Sequence, residues 1–128
     1  MTITSFEIIS IPVADAQKAK AFYRDVLEFD LIRESPMGPG MTWIQLAPKG
    51  SSVTIALTTW FESMVAGGQQ GLMVNSDDIE ADRAKLIARG VEVGEIGMEP
   101  WGRFAMFEDL DGNGWILRQA HDEAPLAL

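Results

Sequence analysis

Hydrophobic and polar positions along the chain fall into an order that is given twice. Ile8 to Val13 form a short apolar run that predicts a strand. After Asp15, Ala19, Phe22, Tyr23, Val26 and Leu27 recur at three- and four-residue spacing, the stripe of a helix packed on a sheet, with Asp15 as its N-cap. Three strand-like runs follow, Asp30–Glu34, Thr42–Leu46 and Ser52–Thr58, with a loop over residues 36–40 and a turn at Pro48-Lys49-Gly50. The second half opens with the short strand Leu72–Val74. Asp77 with Glu80 then forms a capping-box-like pair, followed by the apolar positions Ile79, Leu86 and Ile87 and a stop at Gly90. Strands are predicted at Glu92–Ile96, Arg103–Glu108 and Trp115–Gln119. The last two are joined by a turn over 109–114, whose Gly and Asn residues supply positive φ. Between the halves, Thr59-Trp60-Phe61-Glu62 predicts a short helix before the flexible pair Gly67-Gly68.

The two halves align on each other. At an offset of 63 residues Asp15 falls on Asp78, Lys20 on Arg83 and Ala21 on Ala84; after a one-residue deletion Gly40 falls on Gly102 and Gly50 on Gly112. The weight rests on the matching order of strand, cap, helix and turn signals. The expectation is an α+β fold of tandem βαβββ modules within a single domain, 1–128. Module one spans about 3–59, a linker about 60–70, module two about 71–120 and a tail 121–128.

Composition narrows the chemistry. A length of 128 with 47% apolar and 23% charged residues is that of one globular domain with a real core. The net charge is −9, and it is unevenly placed: residues 1–60 hold six acids and five bases, while residues 61–128 hold thirteen acids and five bases. Such a surface repels phosphates, so neither nucleic acid nor an anionic membrane is an expected partner. Cysteine is absent and His121 is the one histidine, which removes disulfides, thiolate nucleophiles, a Ser/His/Asp triad and any multi-histidine metal site. With no 18-residue apolar run and no basic-then-apolar N-terminus, a soluble, cytoplasmic protein is expected.

Three segments carry a family resemblance. IPVADAQKAKAFYRDVLEF resembles the opening strand and helix of the vicinal oxygen chelate superfamily, which comprises glyoxalases, bleomycin resistance proteins and dioxygenases. DDIEADRAKLIARGVEV resembles its second helix, and FEDLDGNGWIL its turn between the last two strands. The resemblance covers residues 3–120. Glu28 stands where the family usually has Gly, and Leu110 where it usually has Pro. It implies curled mixed sheets with outer helices and a concave inner face, and a homodimer. In metal-dependent members it also implies four inward positions that supply His, Gln or Glu ligands.

Counted from the motifs and the repeat, those four positions are Ile8, Thr54, Gly71 and Ile116. A divalent ion needs several oxygen or nitrogen donors at about 2.0–2.6 Å, and two isoleucines and a glycine offer none. A metal is therefore disfavoured and no cofactor is expected. A register slip would bring in Glu7, Ser10, Gln70 or Arg118, of which Glu7 and Gln70 are ligand types, but a one-residue slip sends both to the other face.

Strand alternation places Ile8, Ser10, Thr54, Ala56, Thr58, Met73, Asn75, Ile116 and Arg118 on the concave side, a mixed apolar and polar lining suited to a small molecule. Trp43, Trp60 and Trp101 are candidate walls for a flat ligand, against the alternative of packing or dimer contact, and Trp115 is more simply core. Phe104, Met106 and Glu108 share a face of their strand, where Glu108 is a candidate general base; a solvated strand end is the alternative. Arg118 and Arg103 are inward or near-inward cations for a ligand carboxylate or phosphate, or ordinary ion-pair partners of Glu108 or Asp109. Asp109, Asp111 and Asn113 have calcium-like spacing, but Ala120 stands where the closing glutamate of such a loop belongs, so they read as a turn. His121 reads as an exposed tail residue. The expected function is a metal-free, dimeric binding protein for an apolar or aromatic small molecule. The alternative is a glyoxalase-type lyase or isomerase, or a dioxygenase-like enzyme, using atypical ligands such as Glu7, Gln70 and Glu108, or Glu108 alone as base.

Overall fold

The computed structural model describes residues 1–121, which fall into two compact units, Met1–Gly68 and a second beginning at Gln69. In the first, β1 (Ile8–Pro12) leads into α1 (Ala16–Ala21), which continues as a π-helical turn (Phe22–Val26). Then come β2 (Asp30–Gly38), β3 (Met41–Ala47) and β4 (Thr54–Thr58). The strands hydrogen-bond in the order β1-β4-β3-β2, with β1 parallel to β4 and the rest antiparallel. The second unit repeats this with β5 (Leu72–Asn75), α2 (Ile79–Ala88), β6 (Gly97–Glu99), β7 (Gly102–Glu108) and β8 (Gly114–Gln119), in the order β5-β8-β7-β6. The βαβββ repeat and the α+β class are thus as the pattern predicts.

Each helix starts at the residue the repeat equates. Asp15 Oδ1 accepts from the amides of Gln17 and Lys18, and Asp78 Oδ1 from that of Ala81. The cap of α2 is therefore Asp78 and not Asp77. Ser76 secures it by accepting from the Asp78 amide at 3.1 Å and donating to Asp82 at 2.6 Å. Ala19, Phe22, Tyr23 and Phe29 are buried, with Phe22 and Tyr23 edge to face at 5.4 Å, and α1 packs on β3 and β4 over Ile11, Ile44, Leu46 and Leu57. Ile79 and Leu86 bury the inner face of α2, whereas Ile87 is 46% exposed, one position off that stripe. Glu28, in the family's glycine position, adopts φ +60°, a left-handed conformation that costs a non-glycine residue about 1 kcal/mol.

Three local expectations fail for physical reasons. β2 runs on through Pro36 to Gly38, where a loop is predicted, because β2 is an edge strand and a missing N–H is tolerated there. Residues 59–61 are irregular, and the Met64 amide on the Phe61 carbonyl closes a turn over 61–64; a single hydrogen bond ahead of two glycines does not nucleate a helix. The strand predicted at Glu92–Ile96 instead forms at Gly97–Glu99; before it the Arg83 guanidinium holds the carbonyls of Val93 and Gly94, and the Gly94 amide bonds the Met106 carbonyl of β7 outside the ladder.

The turn between β7 and β8 is built on two buried polar side chains. Asp109 Oδ1 accepts from the amides of Asp111 and Asn113, its Oδ2 accepts from Asn113 Nδ2 at 2.8 Å, and Asn113 Oδ1 accepts from the Gln69 amide at 3.0 Å. Asn113 is fully buried, so Asn113→Ala removes its bonds to Asp109 Oδ2 and the Gln69 amide from the interior of the turn. A destabilisation of about 2 kcal/mol is expected, read as a lower urea midpoint at unchanged slope.

Candidate functional site

Strand alternation divides the second sheet into two unlike faces. Leu72, Ala105, Phe107, Trp115 and Leu117 are buried on the α2 side, where the rings of Phe107 and Trp115 stack at 6.4 Å, so Trp115 is core. The other face carries two cross-strand rows set by the register. One is Met73, Ile116 and Met106; the other is Asn75, Arg118, Phe104 and Gly97. Met73 is 48% and Met106 56% exposed, an apolar row open to solvent, whereas Arg118 in the adjacent row is only 8% exposed.

Arg118 is held at two points. Its Nε donates to the Trp101 carbonyl at 2.8 Å and Nη1 donates to Asn75 Oδ1 at 2.9 Å. The Trp101 ring lies 5.4 Å from that of Phe104, in the turn between β6 and β7. Two glycines make this packing possible. A Cβ on Gly97 would meet the Phe104 ring at 2.6 Å, and one on Gly102 (φ +142°) would come within 3.2 Å of Arg118 Nε. Met73, Trp101, Phe104, Met106, Ile116 and Arg118 therefore share one unit and one patch. Glu108 ends β7 on the exposed surface, without the burial that would activate a carboxylate as a base.

Arg103 is not near-inward. It lies on the α2 face, where its guanidinium pairs with Glu80 and donates to Gln119 Oε1 at 3.0 Å. Neither arginine pairs with Glu108 or Asp109 in the contacts that fix it. His121 is half-buried and not a free tail residue: its Nε2 donates to the Glu99 carbonyl.

The remaining candidates lie in the first unit. Ile8 stands opposite Thr54, and Ser10 opposite Ala56, on paired β1 and β4. Trp43 donates its indole N–H to Gln45 Oε1 at 3.1 Å; Gln45 Nε2 donates to Thr54 Oγ1 at 2.9 Å, and Thr54 Oγ1 donates to the Glu7 carbonyl at 3.1 Å. Trp60 is half-buried with its ring 5.9 Å from Phe61. Alternation places Asn75 on the inner face but gives it no role, and the sequence reading misses Gln45 altogether. The signal for Gln45 is an amide two residues after Trp43 within the apolar run Ile44 to Ala47.

The four family ligand positions do not fit a divalent ion. Ile8 and Ile116 have no donor, Gly71 has no side chain, and the Thr54 hydroxyl is occupied on both its donor and its acceptor side. Register places Met73, not Gly71, directly beside Ile116. Among the described residues no three His, Asp or Glu side chains gather.

These features coincide with relationships to known proteins. The family model for the glyoxalase/bleomycin resistance protein/dioxygenase superfamily matches residues 5–117. The structure is similar to that of TnmS3, described as an antibiotic binding protein from Streptomyces sp. CB03234, with a TM-score of 0.90 and 43% identity over 94% of this chain and 99% of that one. A glyoxalase/bleomycin resistance protein from the same organism is 44% identical at a TM-score of 0.82, covering 90% of this chain and all of that one. YetH of Bacillus subtilis (strain 168), an uncharacterized protein, is 33% identical over 87% of this chain and 94% of its own length. The chain belongs to the glyoxalase/bleomycin resistance protein/dioxygenase superfamily.

The Arg103–Glu80 pair ties α2 to the sheet that carries the patch. Arg103 holds the Glu80 carboxyl below the ordinary glutamate range by hydrogen bonding. A carboxyl with a lowered folded-state pKa stabilises above its unfolded pKa, and that contribution is lost as pH falls through the folded value. The stability gap between the parent chain and Glu80→Gln is expected to be present at about pH 7 and to shrink as pH falls below the ordinary glutamate range, in thermal melts stepped downward in pH.

Proposed function

We propose that this protein binds a small apolar or aromatic molecule, without a metal, on the face of the second sheet away from α2. The observation that carries the reading is the half-exposed row Met73, Ile116 and Met106, flanked by the Trp101–Phe104 ring pair. An adaptable methionine surface beside aromatic rings suits a flat apolar ligand. The likeness to an antibiotic binding protein supports sequestration rather than turnover. The four ligand positions, which lack a metal donor set, support the absence of a metal. In this reading the protein works in the cytoplasm, and as the homodimer that the family resemblance implies.

Native mass spectrometry of freshly purified protein tests the reading in one measurement. The expected spectrum is a dimer with no stoichiometric divalent metal, taking up one polycyclic aromatic per chain from a titrated panel. Met106→Glu places a charge in the apolar row and is expected to weaken that uptake by about tenfold. Prior treatment with a chelator is expected to leave the affinity unchanged; loss of binding that a divalent ion restores would overturn the metal-free reading.

A further inference from the structure

We propose that Arg118 is an anion anchor, and that the ligand bound beside it is an aromatic molecule bearing a carboxylate. The inference rests on the open-face reading above and adds the ligand's charge. Arg118 is nine-tenths buried, and both hydrogen bonds that hold it end on neutral oxygens, the Trp101 carbonyl and the Asn75 side-chain amide. Among the described residues no carboxylate pairs with it, in contrast to Arg103, which meets Glu80. A guanidinium largely withdrawn from water among uncharged partners is stabilised further when an anion completes the site. Its five donors exceed the two acceptors supplied, and no buried side-chain nitrogen among the described residues lacks a partner, so Nη2 opens to solvent.

The surroundings fix where such an anion sits. Arg118 and Phe104 are direct cross-strand neighbours, and the Trp101 ring lies against Phe104. A carboxylate on Nη2 thereby places an attached aromatic system along the ring pair and over Ile116 and Met106 in the next row. Gly102 matters for the same reason. With no side chain there, Arg118 crosses β7 to reach the Trp101 carbonyl, which orients the guanidinium before any ligand arrives. The net charge of −9 opposes an approaching anion, but screening limits that opposition to about 8–10 Å, and a charge-assisted contact at a partly desolvated guanidinium outweighs it.

The test compares 1-naphthoate with the neutral 1-naphthalenemethanol by titration calorimetry. The parent chain is expected to bind the carboxylate about tenfold or more tightly than the alcohol. In Asn75→Asp an isosteric carboxylate faces the guanidinium, and the ratio of the two dissociation constants is expected to fall to about one. Arg118→Lys keeps the charge without the fork and is expected to give an intermediate ratio, with thermal melts confirming that both variants fold. Equal affinity of the parent chain for both probes overturns the anion anchor and leaves the aromatic-binding reading standing. Binding of neither probe overturns both. A preference for the carboxylate that survives Asn75→Asp places the anion elsewhere and overturns the assignment to Arg118.

Discussion

Each four-stranded sheet has one helix, and a helix covers one face. That limit shapes both units. On the covered side, alternation delivers Ile11, Ile44, Leu46 and Leu57 in the first unit and Ala105, Phe107, Trp115 and Leu117 in the second to an apolar layer. Every second residue is left on the other side, where packing against the helix no longer decides its identity. Side chains there differ between the units. The first unit has the hydrogen-bonded run Trp43, Gln45 and Thr54, and the second has two methionines, an isoleucine and an arginine.

Much of the fold was legible because it was stated twice. Agreement between Asp15 and Asp78 identified a cap that local pattern alone placed at Asp77, where the Asp77–Glu80 spacing looked equally good. What escaped the sequence was competition for backbone groups. Nothing in the run Glu92 to Ile96 announces that Arg83, on a helix some ten residues earlier, claims two of its carbonyls. Nor does Pro36 reveal that its strand lies at an edge, since edge position is a property of the sheet order.

The candidate site was legible in outline and not in its electrostatics. Period-two alternation suffices to put Met73, Ile116 and Arg118 on one face, and register then makes them neighbours. Arg103 and Arg118 look interchangeable in sequence, fifteen positions apart on adjoining strands. Opposite pleats separate them: one faces a helix that offers Glu80, the other a sheet face that offers two neutral oxygens. The difference between a structural ion pair and a site-facing cation is thus a matter of strand parity, visible only once partners are placed.

Parallel pairing of Ile8 with Thr54 and of Leu72 with Trp115 has a consequence for the order in which the chain is made. In each unit the first strand emerges early yet has no lateral neighbour until the last strand appears, because among the described residues it pairs with β4 in the first sheet and with β8 in the second. The hairpin β2–β3 can zip from its own turn, whereas β1 must wait, held near the hairpin by its helix. Synthesis therefore supplies the keystone of each sheet last, and a chain halted just short of β4 or β8 carries an orphaned apolar strand that invites pairing with a foreign edge.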